Sequence, residues 1–392
     1  MAAAEVKLDA FVNIGAFASN SEYVGVRSQV SQHDAVFAGQ LDWKQLSSAG
    51  LQAEWQLSQE WQIIGQAIIK DDASHDAEDR IKLAFVRYSP TPNITLRAGR
   101  TAFDLYMMTD FRDIGYAYST THLPTEFYGI IPNESVDGLD ISYKSNTDLG
   151  LLTTKAYFGK STAPIISDGD FRWDFTADNI MGLVLQLEQD NWLFRANHTL
   201  TEADDGYPGQ QELVGGLAQV PPNIWPMAME LKDSLQFTNT KLRYSALGLR
   251  FDNIDYVVQS EVSFVDSRSI LLNNLLSAYI SVSKRVAEHT FTFTHAHIQA
   301  DAPEIAEPLV ALPPLMVLYD AVKTATDFYR LRQDSYSLSW RYDLSDTWAV
   351  KCQYDFNKVA HQPSGLYLHD FTQPEDKTFS SFSITSNWIF EL

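Results

Sequence analysis

The 392-residue chain could hold two or three ordinary soluble domains or one large closed barrel. It is rich in aromatic residues, at 12%, yet its mean hydropathy is only −0.20, and it has no uninterrupted apolar stretch of about 18 residues, which excludes a transmembrane helix. The formal net charge of −21 argues against a nucleic-acid partner, because phosphates require clustered lysine and arginine side chains.

The sequence offers little that would support catalysis or metal binding. Its one cysteine, Cys352, allows neither an internal disulfide nor a multi-cysteine metal site. We find no phosphate-binding glycine loop, zinc-protease motif or nucleophile-elbow motif, so the sequence predicts no enzyme and no cofactor. The first residues, Met1–Glu5, lack the charged and apolar regions of a signal peptide. We therefore expect that one was removed or never existed, and the three alanines would fit the remains of a cleavage site.

Segments with period-two alternation of apolar residues recur in pairs, each joined by a very short polar turn. In the first clear pair, Leu51–Leu57 and Trp61–Ile69 flank the turn Ser58–Glu60, which is the pattern of a β-hairpin. Further clear pairs surround the turns 145–148, 188–191, 252–253 and 343–346, weaker pairs cover 80–100 and 276–298, and single segments lie at 7–17 and 378–392. The sequence therefore predicts an all-β fold, a single antiparallel barrel domain over 1–392. It would have about sixteen strands of about nine to eleven residues, the length that crosses a membrane.

Connections between these strands alternate between short and long, as in outer-membrane barrels, where the short turns are periplasmic and the long loops extracellular. The long connections are predicted at 18–47, 70–79, 101–134, 159–178, 201–240, 265–275, 299–333 and 357–377. Apolar residues within 33–47 hint at an extra strand. Another spanning strand would break the even number that leaves both termini periplasmic, so we assign them to the first loop.

Two features favour a membrane barrel over a soluble sandwich. Aromatic side chains lie at the short-turn ends of the strands, as in a girdle at a lipid interface: Trp55, Trp61, Tyr88, Tyr143, Trp192, Phe251, Tyr256, Tyr342 and Trp348. The last segment alternates to the final residue through Phe382, Ile384, Trp388, Phe390 and Leu392. Outer-membrane proteins end in such a strand, usually on an aromatic residue, and Leu392 departs from that preference.

Three pieces of the sequence between residues 94 and 144 resemble a known family. They are residues 96–100 at the end of a strand, residues 106–118 in the loop that follows, and residues 136–143 at the start of the next strand. They resemble porins of marine gamma-proteobacteria, within the general porin family of sixteen-stranded outer-membrane barrels. The resemblance implies a homotrimer in the lipid and lipopolysaccharide of a Gram-negative outer membrane, with the third extracellular loop folded into the lumen as a constriction.

By order along the chain that loop is 101–134. Its composition points the same way, because it is too long and too apolar for a freely solvated tip and should pack against the inner wall. If apolar strand positions face lipid, the alternate positions face the lumen: Gln52, Glu54, Gln62, Gln66, Arg97, Asp140, Lys155, Arg195, Arg250, Gln259, Glu261, Arg341, Lys351, Gln353 and Asp355. In 80–88 either set of alternate residues is apolar enough to face lipid. The sequence therefore does not decide whether Lys82 or Arg87 faces the lumen.

The charges of the wall and of this loop suggest a constriction. The wall positions are often basic, whereas 101–134 is acidic apart from Arg112. We hypothesise that the pore is lined by wall cations opposite loop acids: Arg97, Arg195, Arg341 and Lys351 opposite Asp104, Asp110 and Asp113. Such an arrangement creates a transverse field that sets ion preference. The alternative is that these pairs are salt bridges that fix the loop to the wall.

Three histidines allow other interpretations. His295 and His297 share one face of a strand, a spacing that can chelate a metal, but no third ligand is near in sequence. We therefore interpret them as rim residues and predict no metal site. His122 in the loop could tune the charge of the pore near neutral pH.

The sequence thus predicts a porin, a passive water-filled channel for ions and small hydrophilic solutes. Two alternatives stay open: a barrel that serves as scaffold or partner for another surface protein, and a secreted soluble β-rich protein that binds carbohydrate. Conductance in a bilayer would separate the first alternative from a porin, and extraction without detergent would identify the second.

Overall fold

The computed structural model describes residues 5–73, 77–166, 172–204, 206, 209–301, 304–327, 330–360, 366–369 and 378–392. Sixteen long strands in these ranges belong to one antiparallel sheet, and we number them β1 to β16 along the chain. Their bounds are Glu5–Ser19, Ser48–Gln56, Trp61–Lys70, Ile81–Thr91, Ile94–Ala102, Ser135–Thr147, Gly150–Ile166, Arg172–Gln189, Trp192–Ala203, Thr240–Asp252, Tyr256–Ser267, Leu275–Val286, His289–Ala300, Arg332–Ser345, Trp348–Val359 and Thr378–Glu391.

The sheet closes on itself to form a barrel. Each strand pairs with its neighbours in chain order, and β1 pairs with both β2 and β16, from Asp9 opposite Glu391 to Ser19 opposite Ser381. Backbone hydrogen bonding is therefore continuous around the wall, as a sheet in contact with lipid requires. The predicted closed sixteen-stranded antiparallel barrel is confirmed.

One predicted connection differs from the structure. The loop predicted at 159–178 is mostly strand, because β7 and β8 run through all of it except 167–171, which lies outside the described residues. Alternation continues there, with Ser161, Ala163 and Ile165 facing inward and buried, but the polar serine hid the pattern. The last predicted connection, 357–377, lies mostly outside the described residues.

The extra strand suspected in 33–47 is only two residues long. Leu41–Asp42 pairs with the end of β1, and it does not span the barrel. A second short pair, Val24–Gly25 with Leu368–His369, joins the first and last long connections. The even number of spanning strands is therefore kept.

A shift in pairing register determines which residues of strand β4 face the lumen. The register between β3 and β4 shifts by one residue at Lys82, which is the geometry of a β-bulge. The bulge resets the alternation, so that Lys82 and Arg87 both point into the lumen. Lys82 Nζ lies 3.1 Å from the Glu134 carboxylate, and Arg87 donates a 2.7 Å hydrogen bond to Gln62.

The barrel is apolar outside and polar inside. In β14, Leu338 on the outer wall is 62% exposed, whereas Ser337 and Ser339 on the inner wall are 8% and 6% exposed. Exposed apolar side chains surround the barrel, among them Leu51, Ile63, Leu139, Leu183, Phe194, Leu247, Ile280, Phe293, Tyr354 and Phe382. Because a soluble protein buries most such side chains, the inversion indicates an outer wall in contact with lipid. Within the described ranges, no helix combines the length and apolarity needed to cross a membrane.

The aromatic row predicted at the short turns is present. Trp61 at the start of β3 stacks on Tyr88 of β4, with ring centroids 4.4 Å apart. Trp192 at the start of β9 lies 4.7 Å from the ring of Phe251 near the end of β10. Rings at this level suit the headgroup region, where one edge is wet and the other apolar.

Helices occupy parts of the long connections that we had predicted only as loops. The described α-helices are α1 Thr125–Tyr128, α2 Gln210–Ala218, α3 Ala228–Ser234 and α4 Pro313–Asp327. The last three pack around Trp225, which is fully buried and donates a 2.8 Å hydrogen bond from Nε1 to the carbonyl oxygen of Ala306. This outer helical cluster contacts the long-loop ends of β9 and β10 through Ala203 and Leu242.

Candidate channel constriction

Residues 103–134, which connect β5 to β6, fold into the barrel, and we call them the inner loop. Its two ends carry buried apolar side chains: Phe103, Leu105, Tyr106, Met108, Phe127 and Tyr128. These pack on Tyr157 of β7, Tyr244 of β10 and Tyr279 of β12. The apolar side chains of the inner loop thus pack against the inner wall of the barrel instead of lying in a solvated tip.

Asp104 fixes the beginning of the inner loop to β7 and β9. Its carboxylate accepts a 2.9 Å hydrogen bond from Lys155 Nζ and another from the Arg195 guanidinium, and its carbonyl oxygen accepts one from the Asn197 amide. Burial would raise the pKa of the Asp104 carboxyl, but the two cations outweigh burial and lower the pKa to about 2. The carboxylate is therefore ionised at physiological pH and engaged with the wall.

On β11, Glu261 receives three hydrogen bonds inside the lumen. The Met107 N–H donates to its carboxylate at 2.9 Å, the Tyr279 hydroxyl donates at 2.7 Å, and the Tyr128 hydroxyl donates to the same oxygen as Tyr279. The loop approaches β10 closely at Gly248, where a Cβ would lie 2.6 Å from Met107 Sδ. A side chain at that position would require the Met107 side chain to move.

Two cations of β14 and β15 hold the middle of the inner loop. Lys351 Nζ donates a 2.9 Å hydrogen bond to the carbonyl oxygen of Thr120, and Arg341 donates to the carbonyl oxygens of Tyr116 and Tyr118 at 2.6 and 3.0 Å. The Lys351 ammonium also lies 4.5 Å from the centre of the Tyr118 ring. These charge-assisted bonds fix the loop backbone itself, independently of its acidic side chains.

Glu134 anchors the end of the inner loop. Its carboxylate lies 2.6 Å from Lys70 Nζ, 3.1 Å from Lys82 Nζ and 3.7 Å from the Arg112 guanidinium. Burial raises the pKa of the Glu134 carboxyl, but the three cations hold it well below its usual range. Because Lys70 also lies 2.7 Å from Asp113, one cluster joins the middle of the loop to its end.

Asp110 differs from the other acids of this region. It is exposed and forms no hydrogen bond or ion pair with the described residues, yet its charge acts on Arg87 of β4 and Arg97 of β5. Those guanidinium groups lie 5.9 and 5.2 Å from the centre of the Phe85 ring, and Arg97 is held by Asp140 at 2.9 Å. Asp110 and these two arginines therefore carry opposite charges that are not joined to each other by an ion pair.

Polar cavities lie on both sides of the inner loop. One of about 360 Å³, near the long-loop ends of the strands, is bordered by Lys82, Arg100 and Asp137. Another of about 420 Å³, toward the short turns, is bordered by Arg250 and Arg285. Charged walls of this kind suit water-filled entrances to a narrower passage.

All of the predicted pore-lining residues lie at the inner loop or at the wall beside it: Arg97, Asp104, Asp110, Arg112, Asp113, Arg195, Arg341 and Lys351. These residues differ in the contacts that they make. Arg195 contacts Asp104 directly, Arg341 and Lys351 bind loop carbonyls, and Arg112 and Asp113 belong to the Glu134 cluster. These contacts favour the alternative in which the charges fix the loop. The charge of Asp110 acts on Arg97 without an ion pair between them, and the part of Arg97 in lining the pore stays a prediction.

Three cations of the site were missed or left undecided by sequence reasoning. Lys70 was placed at the edge of a long connection, although it continues the inward row of Gln62 and Gln66 in β3, and that row could have identified it. Lys82 and Arg87 were left undecided because period-two counting cannot locate a bulge.

The histidines occupy two different environments. His122 Nε2 lies 3.2 Å from the Asp355 carboxylate inside the lumen; burial lowers the pKa of His122, but Asp355 raises it further, so the pKa ends above its usual value. His295 and His297 lie on the outer wall, 3.3 and 2.9 Å from one oxygen of Asp334. Among the described residues, no group of three histidine, cysteine, aspartate or glutamate side chains is arranged to hold a metal ion.

Solved structures share this architecture across nearly the whole chain. OmpF of Salmonella typhi in complex with daunomycin superposes with a TM-score of 0.58 at 11% identity, covering 98% of this chain and 97% of that one. The anion-selective porin of Comamonas acidovorans gives 0.53 at 11% identity, covering 99% and 100%. The trimer form of OmpT, an outer membrane protein of Vibrio cholerae, gives 0.53 at 9% identity, also covering 99% and 100%.

The likeness is one of fold. No protein-family model matches the chain, and no curated protein matches it in sequence. The chain has the closed sixteen-stranded barrel fold of the general porins, as the resemblance at 94–144 implied. The narrower likeness to porins of marine gamma-proteobacteria is not confirmed by these structures.

Proposed function

We propose that the protein is an outer-membrane porin, a passive water-filled channel for ions and small hydrophilic solutes, without catalytic activity. The observation that carries this proposal is the exposed Asp110, whose charge acts on Arg87 and Arg97 although no ion pair joins it to either arginine. The other loop acids discussed above are engaged with wall cations, so Asp110 is available to a passing solute.

The charge arrangement acts on solutes through a transverse field. The protein on both sides of the passage has a low dielectric constant, so opposite charges on facing surfaces are screened less than in bulk water. Ions and dipolar solutes would be oriented between Asp110 and the two arginines and then released, because no group there binds them strongly. Passage by this route requires no covalent step.

The outer wall supports a location in the outer membrane. Its exposed apolar side chains and turn-side aromatic rings suit contact with lipid and lipopolysaccharide, and they do not favour the soluble carbohydrate-binding alternative. We include a homotrimer in the proposal, which the trimer form of the similar Vibrio cholerae OmpT supports. The native mass in mild detergent tests this part, and a monomer that persists at micromolar concentration contradicts it.

Ion selectivity in planar bilayers tests the channel itself. Asp110→Asn should lower the cation preference and Arg87→Gln should raise it, each changing the permeability ratio about twofold to fivefold, since a unit charge a few ångströms from an ion is worth roughly 1 kcal/mol in water. Asp148→Asn, the same change in an exposed short turn, is the matched control and should leave the reversal potential unchanged. A purified barrel that does not conduct, or two variants that behave like the control, would overturn the proposal.

A further inference from the structure

One cavity in the outer half of the lumen differs from the charged ones described above. It lies between the inner loop and the outer helical cluster, against the long-loop ends of β7 to β12, and measures about 100 Å³. Apolar side chains form almost all of its wall, among them Phe103, Ile131, Trp173, Phe175, Phe237 and Leu271. A dry pocket of this kind is unexpected in a lumen whose other cavities are lined by charges.

Three aromatic rings meet at one side of the cavity. Trp173 lies 6.3 Å from Phe175 and 6.3 Å from Phe237, and Phe175 lies 6.0 Å from Phe237, measured between ring centroids. All three contacts are tilted or edge-on. Rings arranged in this way can contact a further ring with their edges and faces, in the geometry that aromatic pairs prefer.

Two polar groups of the wall have unused hydrogen-bonding capacity, the Tyr244 hydroxyl and the Asn133 amide. Asn133, at the end of the inner loop, is 1% exposed and borders the cavity. One end of its amide bonds to the Ser161 hydroxyl at 2.9 Å, and the other end has no partner among the described residues. A buried polar group without a partner is unfavourable, so a ligand that bonds to it would be stabilised there.

We propose that this cavity binds a small aromatic solute with one hydroxyl or amino group, a phenol or an aromatic amine. The size admits no more than one ring, since this cavity is smaller than the dry apolar cavity of about 150 Å³ that holds benzene in another protein. A bound ring would contact Trp173, Phe175 and Phe237, and its polar group would bond to the Asn133 amide. The role of the site, concentrating such solutes before the constriction, rests on the proposed channel, whereas binding requires only the folded barrel.

Titration calorimetry with phenol on the full-length barrel in detergent tests the proposal. Wild type should show saturable binding at one site per chain, above the linear signal of phenol entering micelles, and glycerol should not bind. Ala177→Phe fills the cavity from β8 and should weaken phenol binding at least tenfold. Ala196→Phe adds the same ring to the outer wall of β9 and should leave binding unchanged.

A crystal soaked with 4-bromophenol provides a readout that does not depend on the variants folding. Anomalous density for bromine between Trp173 and Phe103 supports the site, and bromine found elsewhere, or no saturable binding to wild type, overturns it. The two proposals can fail separately. If the barrel binds phenol but does not conduct, only the proposed channel is overturned. If it conducts but does not bind phenol, only the proposed phenol site is overturned.

Discussion

Lys351 Nζ donates a 2.9 Å hydrogen bond to the carbonyl oxygen of Thr120, and this contact joins the wall of the barrel to the middle of the inner loop. The lysine is fully buried, and no carboxylate among the described residues lies within ion-pair distance of it. Burying an ammonium without a counterion is costly, so loop carbonyls and the Tyr118 ring must offset much of that cost. The position of the loop therefore depends strongly on this one side chain.

Lys351→Met tests that dependence. The methionine keeps an apolar stem but loses the hydrogen bonds, so we expect the loop to loosen near Thr120, with more frequent closures and greater open-channel noise in single-channel recordings. The melting temperature should change little, because removing a buried charge offsets the lost bonds. Lys358→Met, an exposed lysine of the same strand, is the control. A Lys351→Met channel as quiet as wild type would contradict the interpretation.

Arg195 and Arg87 allow the two roles of wall cations to be separated. Arg195 is buried against Asp104, so Arg195→Gln should leave the reversal potential unchanged and lower the free energy of unfolding by about 2 kcal/mol, the scale of a hydrogen bond to a charged group. Urea denaturation and bilayer recordings of the same preparation measure both quantities. If Arg195→Gln shifts the reversal potential as much as Arg87→Gln does, Arg195 lines the pore and does not merely fix the loop.

The barrel could be predicted from the sequence because its physical signal is local. Alternation along each strand, short turns alternating with long connections, and aromatic rings beside the turns are all visible in segments of about ten residues. The prediction failed where one extra residue shifted the alternation, as at the Lys82 bulge. It also failed where a polar serine took an inward position of the alternating pattern, as at Ser161. It also gave no sign of the outer helical cluster, whose helices are stabilised by packing around Trp225.

The site was predicted less well, because its chemistry depends on distances across the lumen. The sequence identified an acidic loop and basic wall residues, but not which charges touch. Asp104 and Asp110 are equivalent in composition, yet one is buried between two cations and the other is exposed. That difference arises from contacts between residues 51 to 93 positions apart, which period and composition do not encode.

The contact between His122 and Asp355 makes the docking of the inner loop pH-dependent. His122 also faces Gln353 at 3.2 Å, the Phe17 ring at 6.2 Å and the charge of Glu126. Because the folded barrel holds the pKa of His122 above its usual value, the contact stabilises the docked loop fully below about pH 6.5. That stability is lost as the pH rises through the higher pKa of the folded state.

We therefore expect wild type to lose stability as the pH rises above 6.5, by about 1.4 kcal/mol for each unit by which the His122 pKa is raised. His122→Gln keeps a donor to Asp355 but does not titrate, so its urea midpoint should fall less over the same range. Burial raises the pKa of Glu126, which adds a loss of the same sign in both proteins, and the difference between their curves isolates the histidine. Asp104, with a pKa of about 2, stays ionised throughout this range and adds nothing. Parallel curves for wild type and His122→Gln would show that His122 does not control how tightly the loop is held.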